Sequence, residues 1–180
     1  GSDFEHPEAL KKLMLSPSLQ KIYFKGFTFC SSLCRALKEA LQEGSYISCL
    51  SLSHCAFLDG NSGLVARVLE QNSTLTSVIL RGEFHKTFYD AFAVVLLVNI
   101  TLTELELAIP RLEFQSALLA PVFLALGMSK ALKKIKIEHY SSSNVPVYHD
   151  LRDGLEKNST LEMLRIRTYN AEGFSNALLP

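Results

Sequence analysis

EQNSTLTSVIL (residues 70–80) and EKNSTLEMLRI (residues 156–166) share an Asn-Ser-Thr-Leu core followed by the same spacing of apolar residues. Asn72-Ser73-Thr74 and Asn158-Ser159-Thr160 fit the acceptor triplet for N-linked glycans, as does Asn99-Ile100-Thr101. Used as sugar acceptors, they would place the chain outside the cell. Used as joints, they would mark a fold built by repetition, and repetition is tested first.

With Leu75 as origin, the skeleton apolar-x-x-apolar-x-apolar reads Leu75-Val78-Leu80. It recurs at Leu19-Ile22-Phe24, Ile47-Leu50-Leu52, Leu102-Leu105-Leu107, Leu132-Ile135-Ile137 and Leu161-Leu164-Ile166. The origins 19, 47, 75, 102, 132 and 161 are separated by 27 to 30 residues, and every framework slot is apolar. Six residues before each origin stand Leu13, Leu41, Leu69, Leu96, Leu126 and Leu155. Ten before, from the second origin onward, stand Leu37, Val65, Phe92, Val122 and Leu151. Four-residue spacing puts each such pair on one helical face. The segments KIYF, CLSL, ELEL and KIKI alternate instead with period two, as half-buried strands do. Each unit is therefore a strand, a turn and a helix.

The joint lies three residues before each origin, at Ser16, Gly44, Asn72, Asn99, Ser129 and Asn158. A residue leaving the last helical turn often enters the left-handed region, which suits glycine and then asparagine. Joint geometry accounts for the Asn-x-Thr triplets, with glycosylation of an extracellular parent as the alternative.

Composition narrows the function classes. Eighteen basic and eighteen acidic residues leave no net charge, which removes the footprint of a dedicated nucleic-acid binder. No apolar run approaches bilayer length. Four cysteines in 180 residues are too few for a disulfide scaffold, so buried, reduced thiols in a cytoplasmic protein are expected. There is no Gly-x-Ser-x-Gly elbow, glycine-rich phosphate loop, His-Glu-x-x-His or Cys-x-x-Cys, and neither an enzyme nor a cofactor is expected. Cys55 follows His54, but adjacent residues at a strand end point in different directions.

This unit, a Leu-x-x-Leu-x-Leu strand followed by a helix at a period of 27 to 30, resembles the leucine-rich repeat family. The period and the ALKEAL-type helices look most like its long, ribonuclease-inhibitor-like class, which includes the sensor ends of nucleotide-binding immune receptors. The resemblance implies an α/β solenoid, a horseshoe with parallel strands on the concave face and helices on the convex face. Parallel strands about 4.8 Å apart and helices about 8–10 Å apart would splay such a stack into a curve. Residues 19–46, 47–74, 75–101, 102–131 and 132–160 form full repeats within one domain. Residues 3–18 are a partial N-terminal repeat holding a helix, 161–180 are a partial C-terminal repeat, and Gly1-Ser2 reads as a cloning remnant. The family's Asn or Cys eight residues after the origin is kept only at Cys55. Phe27, Glu83, Pro110, Tyr140 and Tyr169 occupy the slot elsewhere, so the repeats are degenerate.

The concave face is read from the positions two, four and six after each origin. The residues assigned to partner binding there are Lys21, Tyr23 and Lys25; Ile79 and Arg81; Glu104 and Glu106; Lys134, Lys136 and Glu138; and Met163, Arg165 and Arg167. Two readings stand side by side. The charges form a ligand face, or they satisfy one another laterally as Glu104–Lys134, Glu106–Lys136 and Glu138–Arg167. Surplus cations on the outermost strands also discourage edge pairing. Phe27, Tyr140 and Tyr169 are expected to fill space at the strand exit. His139, His149 and Asp150 lie in a lengthened loop, residues 139–150, without the spacing of a metal site.

The expected function is a non-catalytic protein–protein interaction module, a fragment of a larger protein, that binds a protein partner through the concave face or the loops. The alternatives are a structural or self-assembling segment that positions other domains, or an extracellular glycosylated receptor fragment. Uncapped ends would allow a homo-oligomer.

Overall fold

Apolar alternation and helical periodicity resolve into the expected elements. The computed structural model describes residues 6–110, 112–140 and 147–168. Helix α1 (Pro7–Met14) leads to strand β1 (Lys21–Lys25), a short strand β2 (Thr28–Phe29) and helix α2 (Ser31–Gln42). The order repeats as β3 (Cys49–Ser53), β4 (Ala56–Phe57) and α3 (Ser62–Gln71). It continues as β5 (Ser77–Arg81), α4 (Lys86–Val98), β6 (Glu104–Pro110), α5 (Leu112–Met128), β7 (Lys134–Tyr140), α6 (Val147–Lys157) and β8 (Met163–Thr168). Tyr169 and residues 141–146 and 170–180 lie outside the described residues, as do the side chains of Pro110, His139 and Tyr140.

The chain is α/β, with a six-stranded parallel sheet in the order β1-β3-β5-β6-β7-β8. Framework residues pair in register: Ile22 with Leu50, Leu50 with Val78, Val78 with Leu105, Leu105 with Ile135, and Ile135 with Leu164. Successive helices pack side by side on one face of this sheet. Between the layers, Leu41, Leu69, Leu96 and Leu126 are buried in one apolar cluster with Leu37, Val65, Phe92, Val122 and Leu151. Each such side chain contributes about 1.5–3 kcal/mol by leaving water.

The first helix departs from the expected column. Leu13 is 52% exposed, and Leu10 and Met14 fill the interior instead. This rotation brings Lys11 to the carboxylates of Glu39 on α2 and of Glu43 just past its end, at 2.9 and 2.8 Å.

The joints are also built differently from the expectation. Gly44 is left-handed, at φ 97°, but Asn72 and Asn99 are extended, at φ −71° and −73°. Their side chains do the work that an unusual backbone would have done. Asn72 Oδ1 accepts the Leu75 amide at 2.7 Å, and its Nδ2 donates to the carbonyl of Leu41 at 2.8 Å. Asn99 accepts from Leu102 at 2.7 Å and donates to the Leu69 and Asn72 carbonyls at 2.7 and 2.9 Å. Asn158 accepts from Leu161 at 2.7 Å and donates to Leu126 at 2.5 Å. A ladder of side-chain bonds thus stands three residues before the last four origins, at Asn72, Asn99, Ser129 and Asn158.

Left-handed residues sit instead at the exit of the first three main-sheet strands: Gly26 (φ 62°), His54 (φ 52°) and Gly82 (φ 121°). A Cβ on Gly82 would lie 3.2 Å from His54 Cα, so glycine is required there for two reasons. Beyond this corner β2 and β4 form a second, two-stranded parallel sheet. Phe27 packs on Phe24 and Phe29, with centroids 5.3 and 5.1 Å away. Rings continue through Phe57 and Phe84 to Phe88 and Phe92, so aromatic filling links successive units.

Helices α5 and α6 meet closely at two glycines. A Cβ on Gly127 would lie 2.6 Å from the Gly154 carbonyl oxygen, and one on Gly154 would overlap the Phe123 carbonyl.

Candidate functional site

In a parallel strand, alternate side chains point to opposite faces. Those three and five residues after the origin enter the core on β1 to β7, while Leu164 on β8 is exposed; those two, four and six after each origin form three rows on the face without helices. Strand register places Lys21, Cys49, Ser77, Glu104, Lys134 and Met163 in the first row. The second holds Tyr23, Ser51, Ile79, Glu106, Lys136 and Arg165, and the third Lys25, Ser53, Arg81, Ala108, Glu138 and Arg167. All thirteen residues singled out in the sequence share this face.

Its left part is shallow in chemistry. Cys49 and Ser51 are small and buried, while Tyr23 on β1 is 61% exposed. Its right part holds a separate Glu104–Lys134 pair and a connected chain of charges through Arg81, Glu106, Lys136, Glu138 and Arg167. Lys134 donates to Glu104 at 2.7 Å, which raises the lysine's pKa. Glu106 receives Arg81 through both Nε (3.0 Å) and Nη2, and Lys136 Nζ lies 3.2 Å from its other oxygen. Glu138, only 6% exposed, is bridged by Lys136 at 2.8 Å and approached by Arg167 at 3.6 Å. The Lys136 hydrogen bond holds the Glu138 carboxyl below its ordinary range despite burial. Both lateral pairing and exposure are therefore present on this face.

Between these charges lies an open depression of about 260 Å³. Ile79 and Met163 supply apolar lining, and Glu104, Lys134, Lys136 and Arg165 its charged walls. Met163 is 54% exposed. Ser77 also lines the depression; its place in the first row was legible, its contribution to a cavity was not.

The thiols do not gather. All four cysteines are unpaired. Burial pushes Cys34 up to about 11 and raises Cys55, whose Sγ donates to the Phe24 carbonyl at 3.5 Å. Cys30, half-buried, is lowered by its hydrogen bond with the Ser32 hydroxyl. Among the described residues, no three His, Cys, Asp or Glu side chains are grouped to hold a metal. No described helix is long and apolar enough to cross a membrane.

A second exposed surface went unnoticed in the sequence. Val94, Leu97, Val98 and Ile100 on and after α4, with Leu124 and Met128 on α5, are exposed on the helical side. Val94 and Leu124 each stand eight residues before an origin, and Val98 and Met128 four before, so they are equivalent positions on adjacent helices. The signal was available: FAVVLLV and LLAPVFLALGM lack the polar side that LCRALKEAL shows.

No family model matches the chain, and no curated protein matches it. Among solved structures it is similar to one described as "Leiomodin-1 Actin-Binding Site 2 (ABS2)", at 17% identity and a TM-score of 0.48, over 99% of this chain and 88% of that one.

Proposed function

We propose that this chain is a non-catalytic protein-binding module of the leucine-rich repeat type, in the ribonuclease-inhibitor-like class, with the open sheet face as its docking surface. The sequential parallel strands of the main sheet, those from β1 to β7 each followed by a helix, at a period of 27 to 30 residues, support the family assignment. In that reading the open face is the concave side of a horseshoe. The observation that carries the function is the depression over β5 to β8, where exposed Met163 and half-buried Ile79 stand among oriented charges. Apolar anchors within a polar surround are the usual makeup of a protein interface. An intracellular setting is supported by four unpaired cysteines and by acceptor asparagines whose Nδ2 atoms are already hydrogen-bonded.

The test is reversal of Lys134 and Lys136 to Glu, beside Ile79→Ser/Met163→Ser. Loss of a captured partner with unchanged melting supports the proposal. Undiminished capture by both variants overturns it.

A second reading is self-association, favoured by the apolar α4/α5 surface. Contiguous exposed apolar residues often mark an interface. Mass measurement in solution decides: a concentration-dependent dimer abolished by Val98→Glu/Met128→Glu supports it, and a monomer at high concentration excludes it.

A further inference from the structure

The whole chain is electrically balanced, but its open face is not. The three rows hold seven lysines and arginines against three glutamates, an excess of four positive charges. Each glutamate is already engaged: Glu104 by Lys134, Glu106 by Arg81 and Lys136, and Glu138 by Lys136 and Arg167. Lys21, Lys25 and Arg165 have no ion-pair partner among the described residues. These three stand at opposite ends of the face, on β1 and β8.

The middle row measures the gap. It runs from Tyr23, flanked by Lys21 and Lys25, past Ile79 to Arg165. Five strand spacings separate its ends, about 24 Å. An extended chain covers that length with about seven residues. We infer that the open face takes a protein segment with carboxylates near both ends and apolar side chains between. This rests on the open face being the docking surface. The end carboxylates meet Lys21 and Lys25 on one side and Arg165 on the other; the apolar centre meets Ile79, and Met163 lies beside the Arg165 end.

A nucleic acid fits less well. Its evenly spaced phosphates would have to cross Glu104 and Glu106 in the middle of the face. Among the described residues of this face, only Tyr23 offers an exposed ring for base stacking. A peptide can leave that middle uncharged, and steering by the excess charge would make its capture salt-dependent.

The test uses the whole chain, isotopically labelled, and peptides of about nine residues, long enough to span the row. All carry the same leucine-rich centre, and their ends are Glu, Ser or Lys. A single-stranded oligonucleotide of equal negative charge is the fourth probe. The expected result is about tenfold tighter binding of the Glu-ended than the Ser-ended peptide, and amide shifts confined to the main-sheet strands. Lys21→Glu/Arg165→Glu should remove that gain and leave melting and the Ser-ended peptide unchanged; the milder Lys21→Gln/Arg165→Gln covers any loss of folding. Equal binding of Glu- and Ser-ended peptides on the face, lost in Ile79→Ser/Met163→Ser, sinks the inference and leaves the docking surface standing. Shifts that fall elsewhere for every peptide sink both. Tighter binding of the oligonucleotide replaces the protein segment with a polyanion.

Discussion

The side-chain amide of Asn72 donates to the main-chain carbonyl of Leu41, 31 residues earlier and one unit back, at 2.8 Å. The same atom would carry a glycan. Asn72 and Asn99 are 5% and 7% exposed, and neither has room for one. If the chain is directed through a secretory pathway, the soluble folded product should be unmodified at both positions by intact mass. A folded product glycosylated at Asn99 would refute this assignment of the joint.

Asn99→Ala should be among the costliest polar substitutions. It removes the partner of the Leu69 carbonyl and the Leu102 amide, and one of two side-chain donors to the Asn72 carbonyl. A loss of about 2–3 kcal/mol in urea unfolding is expected. Asn99→Asp keeps the acceptor and loses the donor, so its loss should fall between wild type and alanine.

Gly154→Ala should separate α5 from α6, because its Cβ would overlap the Phe123 carbonyl oxygen. The expected cost is about 2–3 kcal/mol. Gly60→Ala, with φ 70° and open space around it, should cost only about 1 kcal/mol. Equal losses in thermal unfolding would contradict the close approach.

Phe92→Ala removes a fully buried ring stacked on Phe88, and should cost about 3–5 kcal/mol. Leu97→Ser, on the exposed side of the same helix, should change stability by about 0.5 kcal/mol or less.

Glu138 gives the open face a pH dependence. Its folded pKa is depressed, so its contribution is full above the unfolded carboxyl value, near about 4.3, and is lost as pH falls through the folded value. Stability should therefore decline on acidification below about pH 4. Glu138→Gln should flatten that limb relative to wild type. An unchanged slope would show that Lys136 and Arg167 do not favour the charged form.

Much of this was legible because a sheet and a helix each impose a fixed period on burial. Leu41, Leu69, Leu96 and Leu126 fall where a constant repeat puts them, and Glu104 and Lys134 pair because strand register follows from the same count. What escaped depends on direction or distance rather than period. Leu13 occupies the right slot, yet its helix is turned toward Glu39 and Glu43. Asn72 reads as a tolerated left-handed residue, whereas its value lies in a side chain that bonds the preceding unit. Gly154 sits mid-helix in a polar stretch, and nothing nearby in the chain says that Phe123 stands against it. The exposed α4/α5 surface escaped for a further reason: apolar residues on all sides of a helix read as deep burial, and here one side faces solvent.

The sequential strand order has a mechanical consequence. Each inner strand is gripped from two sides, while β1 and β8 are held from one among the described residues. Melting can then advance inward from either flank, and amide exchange should be slowest near β5 and β6, where every escape must first undo a neighbour. The anchors at Tyr23 and Arg165 ride on those loosest flanks, so a ligand spanning them would act as a clasp on the whole stack.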